Sequence, residues 1–218
     1  MKKFLSAFWA ENRKFLFLLL TIVFFKSAIA DLNSISGSSM QPTLLDGDKV
    51  WVNKLAYDVR IPFTDIFLGS VSDPNRGDII IIDSKAANKR LVKRIIGVPG
   101  DTVYMRDNTL VINGQPADYE IVSSDSNSLI IRESLLDHSH RAMLSGELSG
   151  SSRNFGPEVV PQDQFFVLGD NRDNSADSRI YSFIPREQII GRSNSVVFSL
   201  DSERNFLPRA DRFLSELQ

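Results

Sequence analysis

From Lys49 onward the apolar residues come in short, β-branched runs rather than at helical spacing. They read KVWVNKLA (49–56), DIIIID (78–83), LVKRIIGV (91–98), TVYMR (102–106), TLVI (109–112), SLIIR (128–132), QFFVLG (164–169) and SVVFSL (195–200). Turn signals separate them at Asn75-Arg76-Gly77-Asp78, Pro99-Gly100-Asp101 and Asn113-Gly114. The pattern predicts a mainly β fold with an antiparallel β-sheet core. In this part of the chain a good helical period appears only in the tail, Arg209 to Leu217. Between about Asn113 and Pro161 the composition turns polar, which predicts a smaller inserted β/loop subdomain with long loops and one hairpin.

The N-terminus has a different pattern. Phe15 to Phe25 reads FLFLLLTIVFF, broken only by Thr21, and is preceded by Lys2, Lys3, Arg13 and Lys14 with a single acid, Glu11. That is a membrane-insertion signal with its positive flank inside. A hydrocarbon layer of about 30 Å at about 1.5 Å per residue requires the helix to continue through Lys26 to about Leu32. Lys26 then snorkels to the outer interface. The competing reading is a cleavable secretory signal ending at Ala28-Ile29-Ala30. Lys26 just before that site, and the chemistry that begins within ten residues of Ala30, favour an uncleaved N-terminal transmembrane helix. The expected organisation is a cytoplasmic basic N-terminus (1–14), an anchor (15–32), a catalytic core (33–112 and 161–218) and a polar insertion (113–160).

Composition narrows the function classes. With 218 residues, 42% hydrophobic and 24% charged, the chain can bury one sizeable core. Its 25 basic and 27 acidic residues give a net charge of -2, so there is no global basic field for nucleic acid. The absence of cysteine excludes disulfides, thiolate metal sites and thiol nucleophiles.

Three segments carry candidate chemistry: Ser36-Gly37-Ser38-Ser39-Met40-Gln41-Pro42-Thr43-Leu44, Lys93-Arg94-Ile95-Ile96-Gly97-Val98-Pro99-Gly100-Asp101, and Gly169 to Arg179. A serine hydroxyl needs a base. His138 and His140 lie in the polar insertion, far from any glycine-framed serine, and are expected to be surface-loop residues with no ligand cluster beside them. A lysine serves if burial lowers its pKa from about 10.4 toward neutrality, at about 1.36 kcal/mol per unit. Strand alternation puts Leu91, Lys93 and Ile95 on one face, giving Lys93 apolar neighbours on both sides. The bland reading of a lone strand lysine is a surface charge. Asp173-x-Ser175-x-Asp177 has the oxygen spacing of a calcium loop, yet it lacks the glycine and the terminal glutamate, so a hydrogen-bonded turn is expected and no metal.

Taken together and in this order after an anchor, the SxSMxPTL-like, KRxxGxPGD and GDNRxxSxDSR segments resemble bacterial type I signal peptidases, which use a Ser/Lys dyad. The resemblance runs from the anchor to about Ser199, and Arg76-Gly77-Asp78 before an isoleucine run fits a further family segment. It implies Ser39 as nucleophile, Lys93 as general base, Ser175 as the hydroxyl that orients the lysine amine, and Asp177 with Arg179 as a supporting pair. Some relatives carry a serine two positions before the nucleophile that helps to hold the oxyanion. Here that position is Gly37, leaving the Ser39 backbone N–H as the expected donor. Ile35, Met40, Leu44, Leu91 and Val92 are candidate walls of shallow substrate pockets, with core packing as the alternative for each.

The implied reaction cleaves signal peptides after a small-x-small (Ala-x-Ala) motif through an acyl-enzyme, without metal or organic cofactor. The implied partners are preproteins, the lipid bilayer and the secretion translocon, with no nucleic acid. The implied place is the bacterial inner (cytoplasmic) membrane, N-terminus inside and catalytic domain on the periplasmic side. Two other readings stay open: a conjugation-type pilin-processing Ser/Lys peptidase, and an inactive anchored β-rich binding or assembly protein. A self-cleaving repressor relative is disfavoured by the anchor and the lack of a DNA-binding domain.

Overall fold

A computed structural model of the chain describes residues 12–23, 29–61, 63–64, 66–136, 138–145 and 153–217. Residues 12–23 form helix α1, on which Phe15, Phe17, Leu18, Leu20 and Ile22 are exposed. Lys2, Lys3, Glu11, Phe25, Lys26 and Ala28 lie outside the described residues. The expected continuation of one helix to Leu32 is corrected, because strand β1 (Ala30–Ser34) occupies the end of that stretch. Its backbone groups are committed to antiparallel pairing with β2 (Asp48–Asn53), Leu32 opposite Trp51. Among the described residues no helix is long and apolar enough to cross a membrane.

The chain continues through the hairpin β3 (Asp58–Arg60) and β4 (Phe67–Ser70), then β5 (Ile79–Ser84) and β6 (Lys89–Gly97). Next come β7 (Thr102–Arg106), β8 (Thr109–Ile112), β9 (Gln115–Pro116), β10 (Asp118–Ser124), β11 (Ser128–Leu135), β12 (His138–Ser145) and β13 (Phe155–Val159). The last part holds β14 (Gln164–Leu168), helix α2 (Ser178–Tyr181), β15 (Ile184–Pro185), the long β16 (Ile189–Asp201), β17 (Leu207–Pro208) and β18 (Ser215–Glu216). The main sheet has the order β1-β2-β16-β5-β6-β14-β15, with β17 and β18 also pairing with β16. A smaller sheet runs β13-β7-β8-β9, and β10-β11-β12 form a three-stranded meander.

The isoleucine run explains the centre of the main sheet. Ile80 and Ile82 pack with Tyr57, Leu91, Ile95, Val167 and Ile189, whereas Ile79 and Ile81 pack with Ile35, Met40, Leu44, Val50, Val52 and Val196. A strand buried on both faces needs no polar alternation, and DIIIID has none. A third cluster, including Ile96, Val103, Leu110, Leu135, Phe166 and Leu168, joins the main sheet to the smaller one. Phe155 and Phe166 meet there with ring centroids 4.6 Å apart.

Two further expectations change. The polar stretch is more ordered than long loops with one hairpin: β9 to β13 fill much of it, and β7 and β8, from the expected core, pair with β13 and β9. Residues 146–152 lie outside the described residues. The tail is not a helix either, since Ala210–Arg212 is a single 3₁₀ turn between β17 and β18. Its arginines reach back to the loop between β1 and β2. Arg209 Nη1 donates to the Asp46 carbonyl at 2.9 Å, and Arg212 Nε and Nη2 donate to Asp48 Oδ1 and Oδ2 at 3.0 and 2.6 Å. Arg212 Nη2 also donates to the Thr43 carbonyl at 3.0 Å. These tertiary bonds outweigh the local helical period.

Asp48 is fully buried and also accepts the Leu45 N–H. Arg212→Ala should therefore leave an uncompensated carboxylate beneath this loop and lower unfolding free energy by about 3 kcal/mol, read by chemical denaturation of the detergent-solubilised chain. A change within about 0.5 kcal/mol would show that the tail does not hold the loop.

Candidate active site

The loop between β1 and β2 carries Ser39. Its backbone is turned tightly: Gln41 N–H donates to the Ser38 carbonyl and Leu44 N–H to the Met40 carbonyl. Gly37 adopts φ +91°, a left-handed conformation that suits glycine, and its N–H donates to Asp46 Oδ1 at 2.9 Å. Met40 and Leu44 plug into the core beneath, while Ser39 stays half-buried at the surface.

Lys93 lies on β6 directly opposite Ile80 of β5, on the sheet face that buries Leu91 and Ile95. It is only 2% exposed. Its Nζ donates to Ser39 Oγ at 2.8 Å, across 54 residues of sequence. Burial pushes the amine down to about 8, against the opposing charges of Asp177 and Asp170. An amine held there is neutral in an appreciable fraction of molecules near neutral pH. In that state it can accept the serine proton instead of donating to it.

The third segment wraps round this pair. Asn171 N–H donates to the Ser39 carbonyl at 3.0 Å, Asn171 Nδ2 to the Ser38 carbonyl at 3.1 Å, and Asn174 Nδ2 to Ser38 Oγ at 2.8 Å. Arg94, the neighbour of Lys93, forks onto both oxygens of Asp170 at 2.9 and 2.8 Å, and Thr43 Oγ1 donates to Asp170 Oδ2 at 2.5 Å. Burial is the largest influence on the Asp170 carboxyl and raises it, but the charge of Arg94 and the hydrogen bonds from Arg94 and Thr43 together hold the group below its usual range. The segment is thus tied to the Ser39 loop on one side and to the Lys93 strand on the other.

Asp177 and Arg179 meet in a bidentate pair, both bonds 2.8 Å long, with both side chains fully buried. Asp177 Oδ2 also accepts the Gly169 N–H, and Arg179 Nη2 donates to the Arg172 carbonyl at 2.7 Å. Ser175 differs from expectation. Its hydroxyl is buried beside the site yet makes no hydrogen bond, so the expected bond to the Lys93 amine is not formed. The histidines also need correction. Both lie in strand β12, not in a surface loop, and His140 is buried against Glu133 and Arg172.

The candidate wall residues separate. Ile35, Met40 and Leu44 belong to one buried cluster with Val92 packed against it, whereas Leu91 belongs to the cluster on the opposite face of the sheet. Sequence reasoning passed over Asn171 and Arg94, whose contacts cross between segments. It also assigned no role to Gly169. A glycine closing the apolar strand QFFVLG was the available signal, since a strand glycine often marks a close backbone approach.

Known proteins resemble the chain over most of its length. The family model described as signal peptidase, peptidase S26, matches residues 9–198. A signal peptidase I of Pseudomonas fluorescens is 32% identical over 206 residues, covering 86% of this chain and 72% of that protein. Signal peptidase I T of Bacillus subtilis is 37% identical over 171 residues, covering 78% of this chain and 75% of its own. A solved signal peptidase I of Enterococcus faecalis is 32% identical, with a TM-score of 0.37, covering 56% of this chain and 98% of that one.

A Cβ at position 169 would fall inside van der Waals contact with Ser175 Oγ, Ser175 Cβ and the Ser39 carbonyl oxygen. One of these is backbone and cannot swing aside. Gly169→Ala is therefore expected to force the Ser39 loop and the third segment apart, lowering stability by about 1–3 kcal/mol in thermal or chemical unfolding. An unchanged melting temperature would mean that the two segments are not in this contact.

Proposed function

The chain belongs to the signal peptidase family, peptidase S26, and is a serine endopeptidase acting on signal-peptide-bearing preproteins; from that premise we propose that Ser39 and Lys93 are its catalytic dyad. The observation that carries this reading is the 2.8 Å contact between Lys93 Nζ and Ser39 Oγ, made by a buried amine whose pKa is depressed to about 8.

In the proposed reaction neutral Lys93 takes the Ser39 proton as Oγ attacks the scissile carbonyl. The Ser39 N–H faces the developing oxyanion. Collapse breaks the C–N bond, the departing amine takes the proton from Lys93, and the acyl group remains on Ser39. Neutral Lys93 then draws a proton from water as the water oxygen attacks the ester carbonyl. Collapse breaks the bond to Ser39 Oγ, which takes the proton back from Lys93, and the cleaved chain leaves with a new C-terminal carboxylate. Ser175, Asp177 and Arg179 keep the third segment packed beside the amine. The substrate lies extended and pairs through its backbone, with small side chains at the first and third positions before the cut. Since Ile35, Met40 and Leu44 fill the core beneath Ser39, there is little depth there for larger groups.

The proposed setting is the cytoplasmic membrane, with residues 1–14 inside, the anchor in the bilayer and the catalytic domain outside, near the translocon. The apolar run after Arg13 and Lys14, and the exposed apolar side chains of α1, support it.

Cleavage of a synthetic Ala-x-Ala peptide by the full chain in detergent tests the dyad. Ser39→Ala and Lys93→Ala should lose at least about 10³-fold in kcat/KM. Lys93→Arg should be as inactive, because guanidinium does not release its proton. For the native protein, kcat/KM should fall about tenfold per pH unit below about pH 8 and level off above it, because the base works only when deprotonated. A flat profile from about pH 6 to about pH 9, or substantial activity in Lys93→Arg, would remove Lys93 as the base.

A further inference from the structure

The inserted meander is tied to the third segment by buried charge. Arg172 follows Asn171, whose N–H holds the Ser39 carbonyl, and its side chain is fully buried. Its Nη1 and Nη2 donate to the two oxygens of Glu133 at 2.6 Å each, and Nη2 lies 3.3 Å from His140 Nε2. Glu133 and His140 face each other across the β11–β12 pairing. Two backbone bonds extend the contact: Met143 N–H donates to the Asp170 carbonyl at 2.7 Å, and Ser145 N–H to Asp173 Oδ2 at 2.9 Å. Met143 and Asn171 form a parallel β-bridge, so the hairpin edge runs alongside the segment that grips Ser39.

We infer that the β11–β12 hairpin is a brace for the catalytic segment, and that Glu133 and His140 are positioning residues that act through Arg172. This rests on the proposed peptidase reading and assigns the insertion a part in it. The chemistry of the three groups fits a fixed clamp. Burial is the largest influence on the Glu133 carboxyl and raises it, but the charge and hydrogen bonds of Arg172 and its other neighbours together hold it below its usual range and keep it ionised, and burial pushes the His140 imidazole down to about 4, so it is neutral near pH 7. A neutral imidazole accepting from Arg172 at Nε2 carries its proton on Nδ1. Arg172 then has the Glu133 carboxylate and the His140 ring as a cradle, and its rotation is blocked.

Motion of Arg172 would be felt at the dyad through short covalent and hydrogen-bonded paths. Its own carbonyl accepts from Arg179, its predecessor Asn171 holds the Ser39 carbonyl, and Asp170 holds Arg94 beside Lys93. A shift of about 1 Å in a positioned catalytic group costs on the order of 10²-fold in rate.

The experiment must separate positioning from folding. A buried ion pair replaced as a whole by apolar side chains of similar size usually keeps its stability, whereas breaking it from one side does not. The full chain in detergent is compared with Glu133→Gln, His140→Ala, the double replacement Glu133→Met with Arg172→Met, and the control Arg132→Ala, which removes an exposed β11 cation paired with Glu120. Steady-state cleavage of an Ala-x-Ala peptide is normalised to the folded fraction from thermal melts. Glu133→Gln, His140→Ala and the double variant should lose at least about tenfold in kcat with KM within about twofold, the double variant melting close to the native protein. Arg132→Ala should change neither. A double variant that melts normally and keeps native kcat overturns the brace while leaving the dyad intact. A native chain that cleaves no such peptide overturns the peptidase reading and the brace with it.

Discussion

Holding the Lys93 amine at about 8, well below its ordinary value, costs about 3 kcal/mol net of the attraction from Asp177 and Asp170, and the surrounding structure has to supply that cost and keep the site closed. Strand β6 does this by being covered on both faces. Leu91 and Ile95 flank Lys93 in one buried cluster, Val92 packs against a second, and Ile96 belongs to a third. The carboxylates of Asp170 and Asp177 would restore the charge if they were free to pair with the amine. Each is instead committed to an arginine, Asp170 to Arg94 and Asp177 to Arg179. Neutralising the acids with guanidinium groups leaves desolvation as the dominant influence on the lysine, which is the condition under which an amine becomes a base near neutral pH.

The same arginine–carboxylate pairs define the course of the third segment. Arg94–Asp170, Arg172–Glu133 and Arg179–Asp177 are all buried, and each joins two elements or closes a turn. Such pairs add little net stability relative to apolar packing, because desolvating both ions cancels much of their attraction. Their bidentate geometry does fix direction, which apolar contacts do not. A segment held by forks of this kind can carry a backbone donor onto Ser39 and an acid beside Lys93 with little freedom to slide. Gly169 completes the arrangement by allowing Ser175 and the Ser39 carbonyl to close on the strand end.

What could be read from the sequence follows from how local each cause is. The β-branched runs gave the strands because side-chain shape and turn residues act over a few positions, and the face shared by Leu91, Lys93 and Ile95 follows from strand alternation alone. The segments that hold Ser39 and Lys93 were recognisable as motifs, but the 2.8 Å contact joins a loop and a strand 54 residues apart and had to be seen. His140 looked like a loop residue because its neighbours Asp137, His138, Ser139 and Arg141 are polar. Its burial comes from Arg172, 32 residues away in sequence, and from Glu133, which faces it only once the β11–β12 hairpin has formed. The tail misled in the opposite sense. Its helical spacing is real, yet Asp46 and Asp48 hold Arg209 and Arg212 in a path of short strands and one 3₁₀ turn that no window of ten residues reveals.

The polar insertion and the apolar core therefore do different parts of one task. Apolar packing around β5 and β6 lowers the lysine pKa, but it has no directional preference that would point a hydroxyl at that lysine. Direction comes from the hydrogen-bonded frame of Asn171, Asp170 and Asn174, and that frame is anchored at its far side by the meander. On the inferred brace, a core without an outside support for this frame would keep the depressed amine and lose the registration of Ser39 upon it. The ionised Glu133 and the neutral His140, buried in a subdomain whose first strand, β10, is exposed along its whole length, are placed where that support is needed and not where the subdomain's own packing needs them.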